Sequence, residues 1–190
     1  FRFPLEYGNQ RPMASTWTVT GSGAFVLSNQ YGDVQITGIT TGTVVDYGVK
    51  DSMNMGACMA PAAASVIYQH LVDFGRKPEA YDAIITGDLG KVGSEILCKL
   101  LYDQGYDIFN IHRDCGMEIY DDENQDTHSG GSGCGCSAVT LAGKLMNEFR
   151  EGKLKRILFV PTGALLSTVS FNEGQSVPGI AHGVVIERRG

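Results

Sequence analysis

Between positions 130 and 137 the chain reads Gly130-Gly131-Ser132-Gly133-Cys134-Gly135-Cys136-Ser137. A helical pattern follows at Ala138, Leu141, Ala142, Leu145 and Phe149, so the stretch is a glycine-rich approach to a helix start. Backbone N–H groups there lack helical partners and lie at the positive end of the helix dipole. They can receive a carboxylate, a phosphate or an oxyanion. This is not a P-loop, because Lys144 lies too far along the helix and no Gly-Lys-Ser/Thr ending follows. A structural alternative carries equal weight: glycine lets the helix close tightly on a sheet. Cys134 and Cys136 have one residue between them, whereas zinc pairs favour two or more and need a second pair of ligands. Small buried thiols account for them better. Cys134 as a nucleophile would need a base, and none can be identified.

The other candidates stand at strand ends. Asp88 lies in Gly87-Asp88-Leu89-Gly90, directly after the apolar run Tyr81 to Thr86. It is either a functional carboxylate at a sheet edge or a turn former bonding its own backbone. Thr162-Gly163-Ala164 carries a buried strand, Ile157 to Val160, into a turn where backbone groups can line a pocket. His182 precedes a glycine in the last strand, and its default reading is a hydrogen-bonded core histidine. His70 falls at the margin of a helix's apolar stripe, where packing outweighs catalysis. His112, Arg113 and Asp114 read as a small surface ion network.

These groups need elements to hold them. The pattern predicts a glycine-interrupted strand over Trp17 to Leu27 and a second strand over Val34 to Val45. A first helix starts near Pro61 and stops at Gly75, and a second runs from Ser94 to about Gln104. Ile108 to Ile111 and Met117 to Tyr120 both read as possible strands. An acidic loop covers Asp121 to Ser129, a polar loop Thr168 to Gln175, and a last strand Ala181 to Glu187. Strands alternating with helices give an α/β layered fold, with functional loops at the C-terminal ends of strands.

Composition narrows the class. Fifteen Lys+Arg against 21 Asp+Glu gives a net charge of −6, which argues against a nucleic-acid partner. Apolar residues at 43% exclude a disordered segment. No apolar run approaches the ~20 residues of a spanning helix. Five cysteines, an odd number, read as reduced thiols in a cytosolic setting. Glycine is the unusual figure: 25 of 190 residues, roughly twice the ordinary usage. Collagen is excluded, since no three-residue period exists.

The Gly-Ser-Gly-Ala-x-Val-Leu core at 21–27 resembles the hairpin that closes the first half of thiolase-fold condensing enzymes. Gly131 to Ser137, and Thr162-Gly163-Ala164-Leu165-Leu166-Ser167, resemble the two glycine-rich loops of their second half. The closer resemblance is to the stage V sporulation protein AD family, thiolase-like proteins of spore-forming bacteria. It is carried by Glu6-Tyr7-Gly8, Thr18 to Ala24, Met59-Ala60-Pro61-Ala62-Ala63-Ala64, Gly130 to Ala138 and Ile180-Ala181-His182-Gly183-Val184-Val185. The resemblance implies a thiolase-like layered α/β fold, with 1–28 ending the N-terminal half and 29–190 forming the C-terminal half. It also implies a native product extending upstream of Phe1, where the fold's active cysteine would lie.

Departures from the enzymes matter as much. Ketoacyl synthases carry a His after the strand matching Asp82 to Thr86, where this chain has Gly87 followed by Asp88. Their glycine-loop Asn matches Ser132, and the thiolase Gly-His-Pro is missing. Condensation needs donors for the developing oxyanion and a base for the thiol, and Gly87 offers no side chain for either. The resemblance therefore implies a non-enzymatic protein that binds dipicolinic acid (pyridine-2,6-dicarboxylate), alone or as its calcium chelate, for uptake into the developing spore. The expected ligand-lining residues are Asp88, Ser132, Gly133, Cys134, Thr162, Gly163 and His182, with no cofactor and no catalytic residue. Asp88 would repel the ligand unless protonated or bridged by Ca²⁺, and both remain open. Expected partners are other membrane proteins of the stage V A operon, with a homo-oligomer also open. The expected location is cytoplasmic, peripheral to the forespore or spore inner membrane. The rival is a thiolase- or ketoacyl-synthase-type acyltransferase acting on acyl-CoA or acyl-carrier-protein thioesters. In a third reading the chain is a scaffold whose ligand is held by the other half.

Overall fold

The computed structural model describes residues 12–30 and 32–189. The Glu6-Tyr7-Gly8 motif lies outside them. A five-stranded sheet forms the centre, in the order β2 (Val34–Thr40), β9 (Gly183–Arg188), β6 (Arg156–Val160), β3 (Ala83–Thr86) and β4 (His112–Asp114). Strands β6, β3 and β4 run parallel, whereas β9 is antiparallel to both β6 and β2. Every residue of β3 is buried. Successive side chains of a strand point to opposite faces, so both faces of β3 must be covered. Ile84 and Leu158 enter one core, with Met59, Ala63, Ile67, Leu97 and Leu101 of the helices α1 (Met55–Asp73) and α2 (Gly90–Asp103). Ala83, Ile85, Ile157 and Phe159 enter the other, with Cys136, Leu145 and Phe149. The layered α/β architecture expected from the sequence is the one observed.

Helix α1 begins at Met55, six residues before the expected start at Pro61. Asn54 caps it, its side-chain oxygen accepting the Ala57 N–H at 3.2 Å. Pro61 thus lies in the helix interior, and α1 crosses α2 through two glycines that bring the backbones together. A Cβ on Gly93 would fall 2.8 Å from the Gly56 Cα, closer than packing allows. Gly75 ends the helix, where the Arg76 N–H bonds the Leu71 carbonyl at 2.9 Å.

Several boundaries differ from the sequence pattern. Of the Trp17 to Leu27 strand only β1 (Trp17–Thr18) pairs, in parallel with β5 (Gly131–Ser132), and Val26 and Leu27 are exposed. Among the described residues, nothing pairs with the chain beyond that point as a strand. Strand β2 stops at Thr40, leaving Val45 in a single bridge to Gly179. Helix α2 starts at Gly90 and not Ser94, because a side chain from a neighbouring strand caps it. Cys115–Glu118 is a helical turn (α3), not a strand, and β4 falls after Ile111. The third helix opens as α4 (Cys136–Thr140), passes through a π turn at Leu141–Leu145 and closes as α5 (Met146–Arg150). Strand β7 (Thr162–Ala164) pairs with β8 (Gly179–Ala181), and His182 separates β8 from β9. The polar loop holds a short helix, α6 (Thr168–Asn172), capped by Ser167.

His70 is fully buried, as its position on α1 suggested. Its Nδ1 lies 2.7 Å from Thr40 Oγ1 and its Nε2 2.6 Å from the Tyr81 hydroxyl, while the ring stacks on Phe74. Burial, with the nearby Arg76 charge, lowers its pKa to about 4. The unfolded chain therefore takes up a proton between the ordinary 6.5 and about 4 while the folded one does not. Stability should be full above pH 6.5 and decline as pH falls toward 4, by on the order of 2–3 kcal/mol from this residue. Urea unfolding of His70→Gln should show a shallower decline over that window than the parent. An equal decline would place the effect elsewhere.

Candidate functional site

Parallel pairing sets the site. Thr86 of β3 is opposite Val160 of β6 on one side and Asp114 of β4 on the other. Two residues further along their chains, Asp88 and Thr162 emerge side by side at the C-terminal edge of the sheet. Such edges leave a crevice where open α/β sheets bind ligands. The Thr162 hydroxyl donates to Asp88 Oδ1 at 3.0 Å. The Gly133 N–H, from the glycine-rich segment, donates to Asp88 Oδ2 at 3.0 Å. Gly133 has φ +116°, a conformation that L side chains rarely adopt. Asp88 is thus more than a local turn former, since its partners are 45 and 74 residues away in sequence.

The carboxyl of Asp88 is half-buried. Burial raises its pKa to about 6, against the pull of the Gly133 and Thr162 hydrogen bonds, and the Asp114 charge adds to the rise. Asp114 is buried and differently held. Its Oδ1 accepts the Leu89 N–H and its Oδ2 the Gly90 N–H, each at 3.0 Å, which caps α2. Thr86 Oγ1 donates to the same carboxylate at 2.6 Å. The one hydroxyl proton being spent there, His112 Nε2, 2.9 Å from Thr86 Oγ1, is the donor to it. The expected His112-Arg113-Asp114 surface network is therefore corrected. Arg113 turns away to Glu118 and Glu148, while Asp114 faces the loop after β3.

Gly87 has no room for a side chain. A Cβ there would lie 2.6 Å from Ser137 Oγ, 3.0 Å from the Thr162 nitrogen and 3.2 Å from the Pro161 Cα. Cys136 is buried, its thiol 3.5 Å from the Gly87 carbonyl, and burial next to Asp88 pushes it up to about 12. It stays protonated near neutrality and is no nucleophile. Among the described residues no group of three or more His, Cys, Asp or Glu side chains is placed to hold a metal ion.

Of the seven expected lining residues, hydrogen bonds join Asp88, Gly133 and Thr162. Ser132 is buried, and its hydroxyl bonds Thr16 Oγ1 at 2.6 Å. Cys134 in the same segment is exposed, which corrects the expectation of two buried thiols, since only Cys136 of the pair is buried. Gly163 pairs with Ile180 across β7 and β8. His182 is exposed, not a core histidine, and its Nδ1 accepts the Gly42 N–H at 3.1 Å. The pattern missed Thr86 and Asp114. Their signal was positional, each ending a strand beside the one that delivers Asp88.

The model of the family described as stage V sporulation protein AD matches residues 1–187. The chain belongs to that family. It is 50% identical over 190 residues to stage V sporulation protein AD of Bacillus subtilis (strain 168), covering 100% of this chain and 56% of that protein. It therefore spans little more than half the length of that family member. Among solved structures, 3-oxoacyl-[acyl-carrier-protein] synthase III from Aquifex aeolicus VF5 aligns with a TM-score of 0.45 and 13% identity, over 84% of this chain and 46% of that one.

Asp114→Asn should test the capping role. It removes the charge that two amides and a hydroxyl face, and hydrogen bonds to charged groups contribute about 1.5–3 kcal/mol. A loss of that order is expected in chemical unfolding. A change under about 0.5 kcal/mol would mean the carboxylate does not hold α2.

Proposed function

We propose that this chain is the ligand-binding half of a non-catalytic member of the family, which binds dipicolinate for uptake into the developing spore. The observation that carries the reading is the polar cluster at the sheet edge. Asp88, the Gly133 amide and the Thr162 hydroxyl converge where a carboxylate ligand can be received. Beside them, the position that a condensing enzyme would fill with a basic side chain is Gly87, packed against Ser137 and Pro161. A flat aromatic dicarboxylate suits a site with a few fixed donors. Ser132, Cys134, Gly163 and His182 complete the proposed lining. The protein would work beside membrane partners encoded with it, at the forespore or inner spore membrane. Among the described residues, no helix is long and apolar enough to cross a membrane.

Calorimetry of the full-length protein with dipicolinate, run beside a CoA-thioester turnover assay, tests this. Saturable heat with dipicolinate and no turnover is expected. No heat, together with turnover of an acyl-CoA or acyl-carrier-protein thioester, would replace the binding protein by an acyltransferase.

A further inference from the structure

A cluster that receives anions already contains one. Both donors identified at the sheet edge, the Gly133 N–H and the Thr162 O–H, are spent on the two oxygens of Asp88. An incoming carboxylate would meet a carboxylate holding the groups it needs. We infer that Asp88 is a resident occupant of the anion position, and that an anionic ligand binds the form of the protein in which this carboxylate has been neutralised and has given up its donors. This rests on the anion-binding reading above and adds its regulation.

The surroundings favour such a device. Asp88 sits where loss of its charge is easily achieved, with a pKa raised to about 6 by burial first and by Asp114 in addition. Asp114, the charged neighbour on β4, has its own donors in Leu89, Gly90 and Thr86. Cys136, from the start of α4, stays a thiol. His112, behind Asp114, is held below its ordinary pKa by burial, which disfavours its charged form. The glycine segment and β7 contribute only the neutral amide and hydroxyl. Once protonated, Asp88 needs neither donor as a charge would, and its own O–H can bond a ligand oxygen. The ligand's carboxyl groups remain ionised well below pH 6. The pH response of binding would therefore come from the protein.

The sign follows. The competent fraction is high below pH 6 and falls about tenfold per pH unit above it, roughly fifty-fold between pH 6 and pH 8. In Asp88→Asn the charge is gone at every pH. Calorimetric titration of full-length wild type and Asp88→Asn with dipicolinate, from pH 5.5 to 8 with and without Ca²⁺, separates the possibilities. Expected are affinity falling steeply above pH 6 in wild type and a flat profile in Asp88→Asn, tighter than wild type at pH 8. Wild-type affinity equal at pH 6 and pH 8 would overturn the gate and leave the binding reading intact, even if the variant fails to fold. Wild-type binding restored at pH 8 by Ca²⁺, and not in Asp88→Asn, would overturn it in favour of a cation bridge. No binding by either protein at any pH would overturn the dipicolinate reading and the gate together.

Discussion

The site depends on the register of three parallel strands. Because Thr86 is paired with both Val160 and Asp114, the three chains leave the sheet in step, and whatever follows each strand must meet its neighbours. A slip of one residue would turn Ile84 and Ile85 to the wrong cores, so the two apolar layers fix the register by burial. The polar edge is thereby positioned by groups that carry no polar chemistry themselves. Glycine completes the arrangement at Gly87, where no side chain fits between β3 and the start of the next layer.

Two carboxylates share this edge and face different tasks. Asp114 is surrounded by donors, two amides and a hydroxyl, and ties β4 to the start of α2. That is a structural role, since it fixes the turn from which Asp88 projects. Asp88 has one amide and one hydroxyl and a pKa near 6. Burial there outweighs hydrogen bonding, as expected when donors are few and a second acidic group is close. Perturbed carboxyls of this kind tend to mark functional positions, and here the geometry gives the reason.

Much of this was legible in the sequence because it rests on strong local signals. The apolar runs at Tyr81 to Thr86 and Ile157 to Val160 announced buried strands, and the structure has β3 and β6 there. The glycine excess resolves into the tight contacts expected of it, such as Gly56 on Gly93. What remained hidden was non-local. The early start of α1 depends on a cap at Asn54 and a crossing partner 37 residues away, and the start of α2 on Asp114. The strand expected through Leu27 needs pairing that the chain's own pattern cannot supply. Asp114 read as a surface charge because nothing in His112-Arg113-Asp114 reveals that Thr86, Leu89 and Gly90 lie opposite it. His182 read as core because a strand pattern does not show the break between β8 and β9.

The central claim is that dipicolinate and Asp88 compete for the same donors. It is tested most directly by following the Gly133 amide by NMR in the full-length protein as dipicolinate is added at pH 6. The account predicts that the Gly133 resonance is among those moved furthest, saturating with the binding isotherm. Saturable binding that leaves the Gly133 amide unmoved would contradict it.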